Sequence, residues 1–146
     1  MPSSARREMT AKEYLKQYEY AMKKAARYRA VYEDELHKID AVRSLSDNDG
    51  MPHGSGISKP TENKAIRLAD KALRWQQAEL DAIEVKNEVF SVICEVNDIE
   101  GDVLYERYIN LRKWEEICVH LHYSWNGIHK AHKRALAIVE GILNGV

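Results

Sequence analysis

Two series of apolar residues, each advancing by alternating steps of three and four positions, constrain the fold more than any other feature. The first series is Leu15, Tyr18, Met22, Ala25, Tyr32, Leu36 and Ile39, interrupted only by Arg29. The second is Ile66, Ala69, Leu73, Leu80, Ile83, Phe90 and Cys94, with Gln76 and Asn87 as its polar members. This spacing lines up side chains in one seam along a helix. The sequence therefore predicts two long helices whose seams pair with each other or with a second chain.

Local signals define where these helices begin and end. Thr10 followed by Glu13 matches the capping box, in which each side chain satisfies a free backbone N–H of the other residue. Residues 44–60 contain three Gly and two Pro among Ser, Asp and Asn, which predicts a mobile loop. We therefore expect a basic tail at residues 1–9 and an antiparallel helical hairpin over residues 10–98, which serves for oligomerisation or partner docking.

The composition favours an all-α protein. The chain of 146 residues holds only 7 Gly and 3 Pro, fewer than the share of about 12% that is usual. Two cysteines are too few for a secreted disulfide scaffold, and they are predicted to be buried thiols. No apolar run approaches the roughly 18 residues that cross a bilayer, and the N-terminus lacks the apolar core of a signal peptide. These features predict a cytoplasmic protein without a membrane partner.

The net charge of −1 conceals an uneven distribution. Residues 1–29 hold eight basic residues against three acids, whereas residues 75–102 hold eight acids and only Lys86. An averaged charge therefore does not decide what the surface binds.

Residues 99–146 have a different pattern, which predicts a small helix-turn-helix unit. The long second helix is expected to break at Gly101, and short apolar segments follow around Tyr108 and Ile117. His122 and Tyr123 form a turn, and Ser124 caps a final helix. Three helices with a short turn before the last are typical of this DNA-binding motif.

The final helix carries residues suited to the major groove. Trp125, Asn126, His129 and Lys130 are predicted to contact base edges, because amides pair with adenine and lysine reaches the guanine acceptors. The predicted phosphate contacts are Arg112, Lys113, Ser124, Lys133 and Arg134. An alternative with equal weight on residue types alone is that these side chains form the solvated face of a packing helix.

Several of these residues carry a resemblance to a known family. Leu104, Arg107, Tyr108 and Ile109, then the sequence WEEI, then the Ser124-capped helix with HKRAL, resemble region four of bacterial sigma factors. The whole chain is similar to phage and prophage late-transcription regulators of the ArpU and RinA type, which have a helical N-terminal half with a stretch like Ile39, Asp40, Arg43, Ser44 and Leu45.

The resemblance implies a sequence-specific DNA-binding activator of late genes in the cytoplasm of a bacterial host cell. Its partners would be double-stranded DNA, a second copy of the chain and, as a further candidate, RNA polymerase. One departure concerns charge, because Gly127 and His129 stand where sigma factors commonly have arginine. Weak monomeric binding is expected, since each neutralised phosphate adds to affinity.

Other chemistries are less well supported by the residues. Cys118, His120, His122, His129 and His132 cluster in sequence, but they are predicted to point in different directions, with His129 and His132 on an exposed face, so we expect no metal site. Glycine patterns for nucleotide binding and nucleophile motifs are absent, and we expect no cofactor, no small-molecule substrate and no enzymatic activity. A small terminase subunit that recognises packaging DNA and a helical protein-binding inhibitor remain alternatives.

Overall fold

The computed structural model describes residues 9–47 and 59–145, with side chains from 9–42 and 62–145, and these residues form helices and no strand. Helix α1 spans Ala11–Leu15, α2 spans Gln17–Asp47, α3 spans Lys59–Cys94 and α4 spans Asp98–Leu104; α4 continues as a π-helical turn over Tyr105–Ile109, and α5 (Trp114–Leu121) and α6 (Trp125–Leu143) follow. The all-α prediction is confirmed. Since α2 reaches Asp47 and α3 begins at Lys59, both ends of the loop predicted over 44–60 are helical, and residues 48–58 lie outside the described residues.

The predicted start of the first helix is confirmed in atomic detail. The Oγ1 atom of Thr10 accepts from the backbone N–H of Glu13, and a carboxylate oxygen of Glu13 accepts from the N–H of Thr10, both at 3.2 Å. The helix is not continuous to residue 43 as predicted, because Lys16 interrupts it between α1 and α2 with ψ near −7°.

The chain divides into two compact units. One comprises residues up to Ala21 together with those from Ala82 onward, and the other is Met22–Asp81. This division differs from the predicted boundary at residues 98 and 99, because Ala11 and Leu15 of α1 join a core with Val139 of α6.

In the unit Met22–Asp81, α2 and α3 run antiparallel as predicted. The rings of Tyr32 and Trp75 lie 5.4 Å apart, and the Arg29 guanidinium lies 5.6 Å from the same indole. One turn further along α2, the Glu35 carboxylate is 3.8 Å from the Lys71 ammonium, so positions advance along α2 while they recede along α3.

The predicted α2 seam is largely covered, with Leu15 fully buried, Tyr18, Tyr32, Leu36 and Ile39 half-buried, and Met22 exposed.

The predicted seam of α3 does not lie in the hairpin. Its large members Ile66, Leu73, Leu80, Ile83 and Phe90 are all exposed, Ile66 by 67% and Leu73 by 64%. The covered positions of α3 include a series two residues away, Leu68, Lys71, Trp75, Ala78, Ala82, Val85, Val89 and Val92, together with Ala72 and Ile93. Trp75 belongs to this covered series and packs against Tyr32 of α2, so an aromatic contact joins the two helices and the bulkier aliphatic series faces away.

The unit that contains α6 has two apolar cores. The larger combines Leu15 of α1, Val89 and Ile93 of α3, and Leu104, with Ala135 and Val139 of α6. The smaller combines Val103, Ile117, Ile128 and Ala131, with Trp114 and Leu121 packed against it. Adjacent residues Val103 and Leu104 of α4 thus serve different cores.

The break before α4 falls at residues 95–97, and not at Gly101 as predicted. Gly101 is buried inside α4, where a Cβ atom would lie 2.2 Å from the carbonyl oxygen of Val96. Glycine is needed there because the helix passes close to that backbone.

We expect Gly101→Ala to destabilise this unit by roughly 2 kcal/mol or more, because the clash is with backbone and not with a flexible side chain. Gly141→Ala is the matched control: it lies in α6, where an added Cβ would have nothing within 4 Å, so the higher helix propensity of alanine should leave stability equal or raised by about 0.5–1 kcal/mol. Urea unfolding followed by circular dichroism measures both. Equal effects of the two substitutions would contradict this assignment.

Candidate nucleic-acid interface

Helices α5 and α6 are joined by a three-residue turn, as expected for a helix-turn-helix. His122 ends α5 in the left-handed conformation, with φ of 59°, and its backbone N–H donates to the carbonyl of Cys118. Ser124 then caps α6 through its Oγ, which accepts from the N–H of Gly127 at 3.0 Å. A Cβ atom on Gly127 would lie 3.0 Å from that same Oγ, so glycine suits this position beside the cap.

The motif residues before α5 hold the connector in place. The Arg107 guanidinium lies 4.6 Å from the Trp114 ring and donates to the carbonyl of Arg112 at 2.9 Å. Together these contacts fix residues 110–113 between the π-helical turn and α5. Arg107 therefore positions the helix-turn-helix and is not a free surface cation.

The four predicted base-contacting residues lie on one part of α6 with different exposure. Asn126 and Lys130 are exposed, and Trp125 is exposed by 51%. His129 is half-buried, with its ring centroid 4.7 Å from that of Trp114 and 4.5 Å from that of Trp125. The Nε2 atom of His129 is buried and has no hydrogen-bond partner among the described residues. Three of the four side chains are thus available to a ligand, while His129 mainly supports the two indoles.

The predicted phosphate contacts fall into two groups. Lys113 and Lys133 are exposed. The two arginines are already paired: Arg134 binds the Glu100 carboxylate at 2.8 Å, and Arg112 lies 2.6 Å from the carboxylate of buried Glu106, in an ion pair without hydrogen-bond alignment. Ser124 already uses its hydroxyl to cap α6.

The acids that occupy these arginines were not identified from the sequence. Glu106 is 6% exposed and also lies 3.3 Å from Nδ1 of His120, and Glu100 comes 34 positions before its partner Arg134. The Arg134 side chain, which hydrogen-bonds Glu100, lowers the pKa of that carboxyl. A third acid, Glu140 of α6, accepts from the backbone N–H of Ala11 at 3.0 Å and so ties α6 to the start of α1. Contacts that depend on packing in this way leave no periodic signal.

His132 was predicted to lie on the exposed face, and this prediction is wrong. The residue is 9% exposed, its ring packs against Trp114, and its Nε2 is 2.7 Å from the Tyr108 hydroxyl. Burial, reinforced by the positive charge of Lys12 and of nearby residues, lowers the pKa of His132 to about 4. Burial likewise raises the pKa of Tyr108 to about 12. The pair is a neutral hydrogen bond between the two cores.

The remaining chemistry-bearing residues do not converge. No group of three or more His, Cys, Asp or Glu side chains suited to a metal ion occurs among the described residues. Cys118 is half-buried, but Cys94 is exposed, so the prediction of a buried thiol there is wrong. Within the part of the chain that the structure describes, no helix combines the length and apolar character required to span a membrane.

The chain matches no protein-family model, no curated protein and no solved structure.

The low pKa of His132 makes stability depend on pH. In the unfolded chain a histidine titrates near 6.5, so between about pH 6.5 and pH 4 the unfolded chain takes up a proton that folded His132 does not. The stabilisation is therefore complete above that window and is lost as the pH falls through it, by up to about 1.4 kcal/mol per pH unit. Urea unfolding across the window should show this slope in the wild type and a reduced slope in His132→Gln. His37→Gln, which changes an exposed histidine, should keep the full slope; loss of slope in both variants, or in neither, would contradict the assignment.

Proposed function

We propose that this protein is a sequence-specific DNA-binding transcription regulator of phage type, a sigma-like activator of late genes whose recognition helix is α6. The observation that carries the proposal is the exposure of Trp125, Asn126 and Lys130 within the first two turns of α6, directly after a short turn from α5. In helix-turn-helix proteins, the N-terminal residues of the second helix contact base edges.

The construction beneath these residues supports the same function. Ile128 and Ala131 on the opposite side of α6 are fully buried against Ile117 of α5. Burial of this face fixes the rotation of α6 about its own axis, so the exposed residues are presented in one orientation. Fixed presentation is what base readout requires, because the pattern of donors and acceptors in the major groove is read by geometry.

The electrostatics favour weak binding by one chain. Lys113, Lys130 and Lys133 form no ion pair among the described residues, whereas Arg112 and Arg134 are paired with acids. The predicted phosphate contacts that remain unpaired are Lys113 and Lys133, and two such lysines correspond to a salt slope of only about −2 in log affinity against log salt. The protein is therefore proposed to act with a second copy or alongside RNA polymerase.

Substitutions in α6 separate base readout from phosphate binding. With a duplex that the protein selects from a random pool, Asn126→Ala and Lys130→Ala should each cost about 1–3 kcal/mol at the preferred site and narrow its advantage over an unrelated duplex. Lys133→Ala should weaken both duplexes alike and make the salt slope shallower by about one. Fluorescence anisotropy at several salt concentrations measures these effects.

The matched control for these substitutions is Lys64→Ala, which removes an exposed lysine from α3 and should change neither affinity nor preference. A wild-type protein that selects no sequence, and that binds duplexes without salt dependence even with RNA polymerase present, would refute the proposed function.

Removal of the acid that holds Arg134 should strengthen DNA binding. Glu100→Gln weakens the ion pair and releases the guanidinium, so we expect higher affinity and a salt slope steeper by about one. Glu115→Gln removes the same charge from an exposed position of α5 and should not steepen the slope. If both variants gain affinity equally, net charge and not Arg134 is responsible.

One observation favours a second candidate, a helical protein-binding module. Val119 on α5 is 75% exposed and lies in a shallow depression lined also by Glu115, Glu116, Arg112 and His120. An exposed apolar residue in such a depression suits a protein surface better than DNA. Val119→Glu should leave duplex binding intact if the DNA proposal holds, and capture of a transcription factor abolished by this substitution alone would favour the second candidate.

A further inference from the structure

Helix α3 has two seams on nearly opposite sides. The covered seam packs within the two units, and the other, which we call the outer seam, is Ile66, Ala69, Leu73, Gln76, Leu80, Ile83, Asn87, Phe90 and Cys94. The offset of two residues between the seams corresponds to about 200° around the helix. All nine residues of the outer seam are exposed in the single chain, although the Tyr105 ring lies against Phe90 at one end.

Single exposed apolar residues are common on protein surfaces and need no explanation. The outer seam differs because its members keep an unbroken alternation of three and four steps over 29 residues of one helix. Tyr105, 40% exposed, lies edge-on to Phe90 and widens the apolar surface at that end. This alternation is the pattern of a two-stranded coiled coil, in which each seam residue fits between residues of a facing helix.

We propose that the outer seam binds the outer seam of a second copy of this chain, and that the two α3 helices run antiparallel about a two-fold axis between positions 81 and 82. A two-fold dimer uses the same surface on both partners, so that surface must complement itself. The outer seam meets this requirement in its apolar layers, its polar layers and its flanking charges.

The layers match in size and polarity. About this axis, Leu80 packs against the partner's Ile83 at the centre, and Leu73 packs against the partner's Phe90. The two polar seam residues, Gln76 and Asn87, face each other across the dimer, where their amides can exchange hydrogen bonds. Any shift by one heptad would place an amide against an apolar side chain, so the polar pair fixes the register.

The charges beside the seam select the antiparallel orientation. In the proposed dimer Glu79 lies opposite the partner's Lys86, and symmetry repeats this pair. In a parallel dimer Glu79 would instead face the partner's Glu84, and like charges at such positions are unfavourable. In the single chain both groups have partners toward the covered side, because the Trp75 indole N–H donates to the Glu79 carboxylate at 2.8 Å and the Lys86 ammonium lies 5.7 Å from the Tyr18 ring. Both side chains are exposed, so pairing in the dimer requires only that they turn toward the outer seam.

The dimer would provide a second DNA-binding unit, which the proposed function requires because one α6 helix has few unpaired positive charges. The inference does not depend on that use, because it rests on the exposed face of α3 alone and is tested without DNA. A dimer that binds no DNA would refute the proposed function and leave this inference intact.

Light scattering of the full chain is the first test, and we expect twice the chain mass of 16.9 kDa. Leu80→Glu combined with Ile83→Glu should give the monomer mass with an unchanged helical circular dichroism spectrum, since both residues are exposed in the single chain. Val31→Glu, an equivalent change at an exposed position of α2, should remain dimeric. A monomeric wild type, a ring of many copies, or a seam variant that stays dimeric would overturn the proposal.

Charge reversal tests the orientation. Glu79→Lys places lysine opposite the partner's Lys86 twice, and should weaken the dimer about tenfold in Kd. Adding Lys86→Glu should restore it. In a parallel dimer the first substitution would create attraction to Glu84 and strengthen association. A strengthened or unaffected Glu79→Lys dimer therefore overturns the antiparallel arrangement.

Disulfide trapping gives an independent readout of the same arrangement. The exposed thiol of Cys94 lies opposite the partner's Ala69 in the antiparallel register. In Ala69→Cys, mild oxidation should join residues 69 and 94 of different chains, as identified by mass spectrometry of the cross-linked peptides. Cross-links that join 69 to 69 and 94 to 94 would show a parallel dimer and overturn the proposal.

Discussion

The structure around the candidate site depends on one helix having to cover two cores with a single apolar face. Ile128 and Ala131, in the first half of α6, close the core of the helix-turn-helix, and Ala135 and Val139, in the second half, close the core formed with α1 and α3. Because both halves are buried, α6 cannot rotate to improve one contact without opening the other. The exposed residues of its first two turns therefore have a fixed orientation, although the unit that holds α6 in place is small. The neutral hydrogen bond between Tyr108 and His132 lies where the two cores adjoin, and satisfies two buried polar groups that would otherwise be costly there.

The sequence was informative wherever the deciding interaction is local. The capping box at Thr10, the cap at Ser124 and the short turn before α6 each depend on residues within a few positions of one another, and each is present. Periodicity also identified both long helices. Periodicity failed to identify which side of α3 faces α2. That helix has two series of residues spaced by three and four positions, and the hydrophobic pattern predicts burial of the series with the larger apolar side chains. Helix α3 instead buries the series that contains Ala78 and Ala82, and within the unit Met22–Asp81 Trp75 of that series packs on Tyr32 of α2. Which of two seams becomes buried depends on the helix that packs against it, and a single sequence does not specify that helix.

The same distinction between local and long-range interactions explains which features of the candidate site could be predicted. Residue types on α6 predicted which side chains would be exposed with fair success, because burial follows the helical period. The state of the arginines was not predictable, since it depends on Glu100 and Glu106, which reach them only after α4 has packed across α6 and beside the connector. Because of those pairings, fewer positive charges are available to a phosphate than the number of basic residues indicates. The sequence predicts four basic phosphate ligands, whereas in the folded unit the two arginines are paired with acids and the two lysines remain. Lysine binds phosphate as a point charge without the bidentate geometry of arginine. For the proposed DNA binding, affinity would then have to come from contacts with a partner or from a second binding unit.

A second binding unit is consistent with the large apolar surface that the described part of the chain leaves uncovered on α3. A helix that buried only one seam would need polar residues on its other side to remain soluble as a monomer, and α3 has Glu, Gln and Lys there at intervals, but it also has Leu73, Leu80 and Ile83 in continuous register. Retaining these residues on an exposed face favours aggregation unless a specific contact covers them. The two amides in the seam reduce the strength of such a contact, since a polar layer costs stability, but they allow only one register. An antiparallel pair of this kind would place two weakly charged recognition helices on one molecule. Once one helix has bound a half-site, binding of the second becomes effectively intramolecular, so the dimer would bind two half-sites more tightly than either unit binds one.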